Sequence, residues 1–248
     1  MALFGLFGTK EERERSSLKK LARKVTEKYG PPENRQKAIE QLGQLGTPGA
    51  YETLCLRFTM FSEPGITDQE EKEEVQRLLV AAGERAIPAV EAFLREREEG
   101  VAWGLRVLAQ AAPDRVLPAV LESLTRLGRE YTRDPDKKIT LLTWLREHHA
   151  GAPAEQVEAA LLPLLEDFSD DVRIQATRGL AAAAHGERAR DALIALLLRD
   201  RDNARVRGEV FEALATMGAD VKGHRPSVEA LLVPPFHLDR EGRVKKQG

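Results

Sequence analysis

Histidines near the middle of the chain are the residues that most resemble a metal site. His148 and His149 follow Glu147, and His185 lies further along the chain. Histidine and carboxylate side chains bind zinc, but adjacent side chains on a helix point about 100° apart and seldom share one ion. An exposed helix end explains these histidines better. We therefore expect no metal and no cofactor.

Nucleophilic and phosphate chemistry are not indicated either. Cys55 is the only cysteine among 248 residues, so an intramolecular disulfide is excluded and a reducing compartment is the natural interpretation. We interpret Cys55 as a small buried residue. The sequence contains no phosphate-binding loop, no dinucleotide-binding glycine pattern, no nucleophile elbow and no zinc-protease motif. We predict that the protein is not an enzyme.

The elements that would position any site are helices, and they recur along the chain. Helices with apolar residues three and four apart alternate with stretches that place small or aliphatic residues four apart. A repeat of this kind predicts a stack of helical hairpins and an all-α fold. No segment shows the alternation that is typical of a sheet. The paired core residues are Ala38 and Leu42, Val75 and Leu79, Gly104 and Leu108, Leu141 and Leu145, Ala176 and Leu180, and Val210 and Leu214.

One of these stretches carries a family pattern. Residues 170–176 read Asp-Asp-Val-Arg-Ile-Gln-Ala and are followed by Gly179-Leu180 and Gly186. This run resembles a HEAT repeat of the bacterial type that is also found in phycobilisome-lyase-like proteins. The resemblance is clear in the last two repeats and loose over residues 62–130.

The resemblance implies an architecture and a role for two arginines. It implies a right-handed α-solenoid of about six HEAT-like helical hairpins over residues 31–233. An apolar tip and a basic capping helix at 1–30 would precede it, and a tail at 234–248 would follow and cover the last repeat. The resemblance also implies that an aspartate caps the helix before each Val-Arg pair. Arg173 and Arg207 would then form ion pairs with the adjacent repeat.

The amino-terminal residues allow two interpretations. An apolar tip beside a basic helix could contact an anionic membrane or the groove of a partner. Alternatively, the helix caps the open end of the solenoid, which we favour because terminal repeats need covering. Neither the order of a signal peptide nor an apolar run of bilayer length is present, so we expect a cytoplasmic protein. The residues concerned are Leu3, Phe4, Leu6 and Phe7 in the tip and Lys19, Lys20, Arg23 and Lys24 in the helix.

A surface stripe can be projected from the repeats. In each stretch, three positions point away from the core. They lie one residue before, two residues after and six residues after the first core residue. A groove that follows nucleic-acid phosphates should be dominated by lysine and arginine, whereas this stripe is mixed in charge and has one aromatic residue, Trp103. Nucleic acid is therefore not expected as the partner. We interpret the charge runs at 70–74 and 95–99 as solvated helix faces or turns. The stripe consists of Lys37, Glu40, Gln44, Glu74, Arg77, Ala81, Trp103, Arg106, Gln110, Thr140, Thr143, Glu147, Gln175, Arg178, Ala182, Glu209, Glu212 and Thr216.

The stripe predicts a non-enzymatic scaffold or adaptor that binds another protein, as a helix or an extended segment. Two enzyme classes with related repeats are the alternatives. HEAT-like alkylpurine DNA glycosylases use a basic cleft, which the mixed charge argues against. Phycobilin lyases share only the Val-Arg pattern, which is a structural signature. The residues predicted to contact the partner are Trp103, Arg106, Thr140, Thr143, Gln175, Arg178, Glu209 and Glu212.

Overall fold

The computed structural model describes residues 10–183 and 186–247. This part of the chain is mainly helical, and the all-α prediction is confirmed. The described ranges also contain short 3-10 helices at Leu56–Thr59, Gly83–Arg85 and Leu162–Glu166. The α-helices are α1 Lys10–Val25, α2 Pro32–Leu45, α3 Pro48–Cys55, α4 Gly65–Ala82, α5 Ile87–Glu96, α6 Val101–Ala111, α7 Pro113–Leu127, α8 Asp136–Glu147, α9 Ala154–Leu161, α10 Asp170–Ala183, α11 Glu187–Arg199, α12 Ala204–Met217 and α13 Arg225–Glu229.

The structure contains a small β-sheet that was not predicted from the sequence. Strands β1 Phe236–Leu238 and β2 Val244–Lys246 form an antiparallel hairpin in the region predicted as a tail. Strands of three residues are too short to show the alternation by which a sequence reveals a strand. The hairpin packs on α12, where the ring of Phe236 lies 5.6 Å from that of Phe211 and Val244 is buried. The tail thus covers one side of α12.

The chain divides into two compact units, Met1–Ala119 and Val120–Gly248, and α7 contains the boundary. In unit 1, helix α4 lies between α2 and α6, and α3 packs on α5. The core residues predicted for these helices are buried, including Gly104 and Leu108 in the stretch where the family pattern is loose. Their burial follows from the helical period, which survives when the loops change.

Unit 2 repeats this arrangement. Helix α10 lies between α8 and α12 and also packs on α9. Its predicted core residues Ala176 and Leu180 are buried, as are the corresponding pairs in α8 and α12. The sequence therefore identified the buried face of these helices in both units.

The helix ends show how the repeats are separated. Gly46 adopts a left-handed conformation with φ of 55° after α2, and the Thr47 side chain accepts a hydrogen bond from the Ala50 backbone at the start of α3. This is the usual chemistry of a helix end followed by a helix start. The capping role implied for the aspartate before each Val-Arg pair is corrected. Asp171 lies inside the first turn of α10, and Asn203, which is not an aspartate, caps α12 by accepting from Val206 N at 3.2 Å.

The first described helix covers the first hairpin of unit 1. Helix α1 packs on α2 and α3 through its apolar face, where Leu21 and Val25 are buried. Its basic residues Lys19, Lys20, Arg23 and Lys24 are exposed. Leu3, Phe4, Leu6 and Phe7 lie outside the described residues, so contact of this region with a membrane or a partner stays a prediction.

Candidate functional site

The residues of the projected stripe lie on the surface of the protein. Each of its residues is exposed or half-buried. Trp103 and Arg106 lie on α6 in unit 1. The other predicted contact residues belong to unit 2, with Thr140 and Thr143 on α8, Gln175 and Arg178 on α10, and Glu209 and Glu212 on α12. We describe the two units separately.

Two grooves follow the stripe in unit 1. The first has a volume of about 650 Å³ and lies between α2 and α4, where Lys37, Glu40, Glu74 and Arg77 line it. The second has a volume of about 390 Å³ and lies between α4 and α6. Arg77 lines both grooves, so the two form one surface that crosses α2, α4 and α6.

Trp103 stands in the second groove between two internal partners. Its ring stacks on that of Phe58 at 5.6 Å with an angle of 5° between the planes. The guanidinium carbon of Arg106 lies 4.8 Å from the centre of the Trp103 ring, which is a cation–π contact. Trp103 is therefore half-buried, and its orientation is fixed in the absence of a partner. Its indole is neither a core residue nor a freely exposed side chain.

Three charged stripe residues of unit 2 form ion pairs within that unit. Arg178 donates to Glu209 at 2.7 Å between α10 and α12, and Lys246 of the hairpin donates to Glu212 at 2.8 Å. The hydrogen bond to Glu209 raises the pKa of the Arg178 guanidinium further above its ordinary value. These contacts join neighbouring elements of unit 2, so the three charges already have internal partners.

The two arginines of the family pattern differ in their contacts. Arg173 Nε lies 2.9 Å from Asp200 Oδ2 before α12, as the resemblance implied, although the pair lacks hydrogen-bond geometry. Lys138 forms the equivalent ion pair with Asp167 at 2.7 Å. Arg207 donates instead to the backbone carbonyl of Arg201 at 2.6 Å, so the implied ion pair is corrected for that residue.

A buried cluster of charges in unit 1 was not anticipated. Arg35 and Arg57 are fully buried, and both donate to the Glu71 carboxylate, at 2.9 and 2.8 Å. Arg57 also donates to Asp68 at 2.6 Å, and Lys72 to Asp68 at 2.8 Å. Interpreting residues 70–74 as a solvated face was thus wrong for Glu71 and Lys72, which are only 3% and 9% exposed.

A signal for this cluster was present in the repeats. The residue three positions before the first core residue is basic in five of the six stretches. A basic residue at a fixed place on the core side of a repeat indicates a partner within the chain. Four of the five form ion pairs, and Arg207 contacts a backbone carbonyl instead. The five are Arg35, Lys72, Lys138, Arg173 and Arg207.

The cluster makes unit 1 sensitive to acid through Asp68. Burial tends to raise the pKa of Asp68, but hydrogen bonds from Lys72, Arg57 and the Ser62 backbone outweigh it, and the pKa lies below its usual value. A carboxylate of this kind stabilises the fold above its unfolded-state pKa of about 3.9 and loses that effect as the pH falls towards the folded-state value. The stability that Asp68 supplies is therefore present at neutral pH.

We expect Asp68→Asn to lower the urea midpoint of unit 1 at neutral pH. The midpoint of the variant should also change less with pH in the acid range. The difference from the wild type should shrink as the pH falls below about 3.9. Glu70→Gln is the control, because Glu70 is an exposed acid on the same helix. Urea unfolding across this pH range measures both variants. A constant difference at every pH would contradict the role given to ionised Asp68.

The residues considered for chemistry lie in unreactive surroundings. Burial raises the pKa of the Cys55 thiol to about 12, so the thiolate is scarce at neutral pH. His148 stacks on Trp144, with the ring centres 4.5 Å apart, and His149 Nδ1 lies 2.8 Å from the Arg146 carbonyl oxygen. His185 lies outside the described residues. Within the described ranges no group of histidine, cysteine and acidic residues has metal-site geometry, and no helix has the length and apolar character to cross a bilayer.

Comparison with known proteins supports the repeat assignment. A family model described as HEAT repeats matches residues 158–240, so the resemblance stated for the last repeats is confirmed. No curated protein and no solved structure matches the chain. HEAT repeats commonly mediate protein–protein interactions and are generally non-enzymatic.

Proposed function

We propose that this protein is a non-enzymatic scaffold or adaptor that binds a helix or an extended segment of another protein. The observation that carries the proposal is the surface of unit 1 formed by the two grooves that share Arg77. It follows the projected stripe and ends at Trp103, which is held between Phe58 and Arg106. A pre-ordered tryptophan in a groove has the properties of an interface anchor.

The charges of the first groove favour a protein partner over nucleic acid. Acidic residues outnumber basic ones in the lining of this groove, where Glu33, Glu40, Glu70, Glu71 and Glu74 stand against Lys37 and Arg77. Acidic side chains repel phosphates, whereas most nucleic-acid affinity comes from lysine and arginine. This excess of carboxylates would complement a protein segment with basic side chains.

The energetics of Trp103 are compatible with partner binding. Covering a half-buried tryptophan in a well-packed interface contributes roughly 2 kcal/mol or more. The contact with Arg106 is worth about 0.5–1 kcal/mol at an exposed position, so a partner can displace the guanidinium at small cost. Trp103 would provide most of the affinity, and Arg106 would turn towards an acidic group of the partner.

The predicted contact residues of unit 2 would contribute differently to partner binding. Arg178, Glu209 and Glu212 already have internal partners. A new ion pair with a partner protein would only replace a surface pair worth about 0–1 kcal/mol and would add little net affinity. Thr140, Thr143 and Gln175 are half-buried and uncharged. We therefore assign these residues to shape and polar complementarity rather than to anchoring.

We expect Trp103→Ala to reduce partner capture about tenfold or more, because the loss of an anchor exceeds 1.4 kcal/mol. The measurement is affinity capture from nuclease-treated native lysate, with the captured proteins quantified for each variant. Trp144→Ala is the matched control in unit 2, and Arg106→Glu tests the groove while keeping the Trp103 ring. Circular dichroism establishes that each variant is folded.

Site-specific crosslinking connects this result to the groove. A photoreactive residue at Gln76, which lines the second groove, should crosslink the protein that Trp103→Ala fails to capture. A partner that is retained equally by every folded variant would refute the proposed surface. Recovery of nucleic acid from untreated lysate, lost as the salt concentration rises, would favour the glycosylase alternative.

A further inference from the structure

Two adjacent aromatic side chains of unit 2 are exposed to solvent, and neither belongs to the stripe. Tyr131, in the loop before α8, is 74% exposed, and Phe168, in the loop before α10, is 84% exposed. Their ring centres are 5.6 Å apart, and the ring planes are inclined at 79°. Single exposed aromatic residues are ordinary, but an adjoining pair in a groove indicates a binding surface. We name this surface the aromatic notch, defined by Tyr131, Phe168 and the groove between them.

The backbone on both sides of the aromatic notch is held by internal cations. Lys138 Nζ donates to the Glu130 carbonyl at 3.0 Å and to the Asp167 carboxylate at 2.7 Å, so it joins the two loops. Arg173 donates to the carbonyl oxygens of Asp167 and Phe168 at 2.5 and 3.2 Å. These bonds fix the positions from which the rings project. A site of this kind requires little ordering when a ligand binds.

The charges that line the aromatic notch leave one cation without a counter-ion. Glu130 pairs with Arg126, Glu166 with Arg199, and Asp167 with Lys138. Among the described residues, Arg129 forms no ion pair, and it lines the same groove. Arg133 and Asp134, further along the loop, lie outside the groove lining and cancel in formal charge. The notch therefore complements an acidic group next to an apolar one.

We propose that the aromatic notch binds an extended, proline-containing segment of another protein that carries an acidic residue. The groove has a volume of only about 180 Å³, which suits small rings rather than a whole helix. Proline-rich segments dock in grooves lined by aromatic side chains because their extended conformation is already formed. Prolines pack against Tyr131 and Phe168, and an acidic side chain of the segment pairs with Arg129.

A synthetic peptide tests this inference directly. The probe is a fluorescein-labelled peptide in which proline pairs alternate with single aspartates, titrated with the full chain and followed by anisotropy. Two matched peptides carry lysine in place of aspartate, or glycine and serine in place of proline. We expect the proline–aspartate peptide to bind about tenfold more tightly than either matched peptide.

Variants assign the binding to the notch. Tyr131→Ala and Phe168→Ala should each weaken binding of the peptide about tenfold, and Arg129→Glu should weaken it while Arg133→Glu leaves it unchanged. Phe61→Ala is the matched control, because Phe61 is an exposed phenylalanine on a loop of unit 1. Absence of binding by the proline–aspartate peptide would overturn the inference, as would equal binding of the peptide without proline or undiminished binding by the Tyr131→Ala, Phe168→Ala double variant.

Discussion

Replacing Glu71 with glutamine is expected to lower the free energy of unfolding of unit 1 by about 3–5 kcal/mol. Glu71 accepts hydrogen bonds from Arg35 and Arg57, both of which are fully buried. Glutamine keeps the shape of the side chain but removes the negative charge. Among the described residues, Arg35 then has no carboxylate partner and Arg57 keeps only Asp68. Arg35 Nη2 already has no hydrogen-bond partner among the described residues.

The positions of the tryptophans allow the effect to be measured in one unit. Trp103 lies in unit 1 and Trp144 in unit 2, so the fluorescence of a Trp144→Phe background reports unfolding of unit 1 in urea. Glu74→Gln is the control, since Glu74 pairs with the exposed Arg77 on the same helix and such surface pairs are worth about 0–1 kcal/mol. Equal midpoints for the two variants would show that the buried cluster does not depend on the Glu71 charge.

The buried faces of the helices could be predicted because they depend on a local period. Val75 and Leu79, or Gly104 and Leu108, are one turn apart on a single helix, and their spacing identifies the side that packs. Loop insertions do not disturb that period, which explains why the prediction held where the family pattern was loose. The buried partners of Arg35 could not be found in this way, since Glu71 lies on another helix of the unit.

The ion pairs between surface residues could not be predicted from the sequence either. Arg178 and Glu209 were both placed correctly on the surface, but their mutual hydrogen bond depends on how α10 and α12 sit beside each other. A helical projection gives the direction of each side chain and not its neighbour across a groove. The same limit applies to Trp103, whose contact with Phe58 joins α6 to a 3-10 helix earlier in unit 1.

A second large effect is expected from Gly100→Ala, which should destabilise unit 1 by roughly 3 kcal/mol or more. Gly100 precedes α6 with φ of 75°, a left-handed conformation that alanine adopts at a cost. An added Cβ would lie only 2.4 Å from the carbonyl oxygen of Phe58. Because that atom belongs to the backbone, it cannot swing aside. The segment must move, and the Phe58 ring that supports Trp103 moves with it.

Gly46→Ala separates the clash from the backbone strain. Gly46 has φ of 55° in the same unit, but an added Cβ there would meet its nearest neighbour, the Tyr51 hydroxyl, at 3.5 Å, which is ordinary contact. We expect that variant to lose only about 1–2 kcal/mol, measured by urea unfolding in the Trp144→Phe background. Near-ultraviolet circular dichroism of the Trp103 and Phe58 stack should change in Gly100→Ala and not in Gly46→Ala. If both variants lose the same stability and keep the same spectrum, the Phe58 segment yields freely, and Trp103 is not held in place before a partner binds.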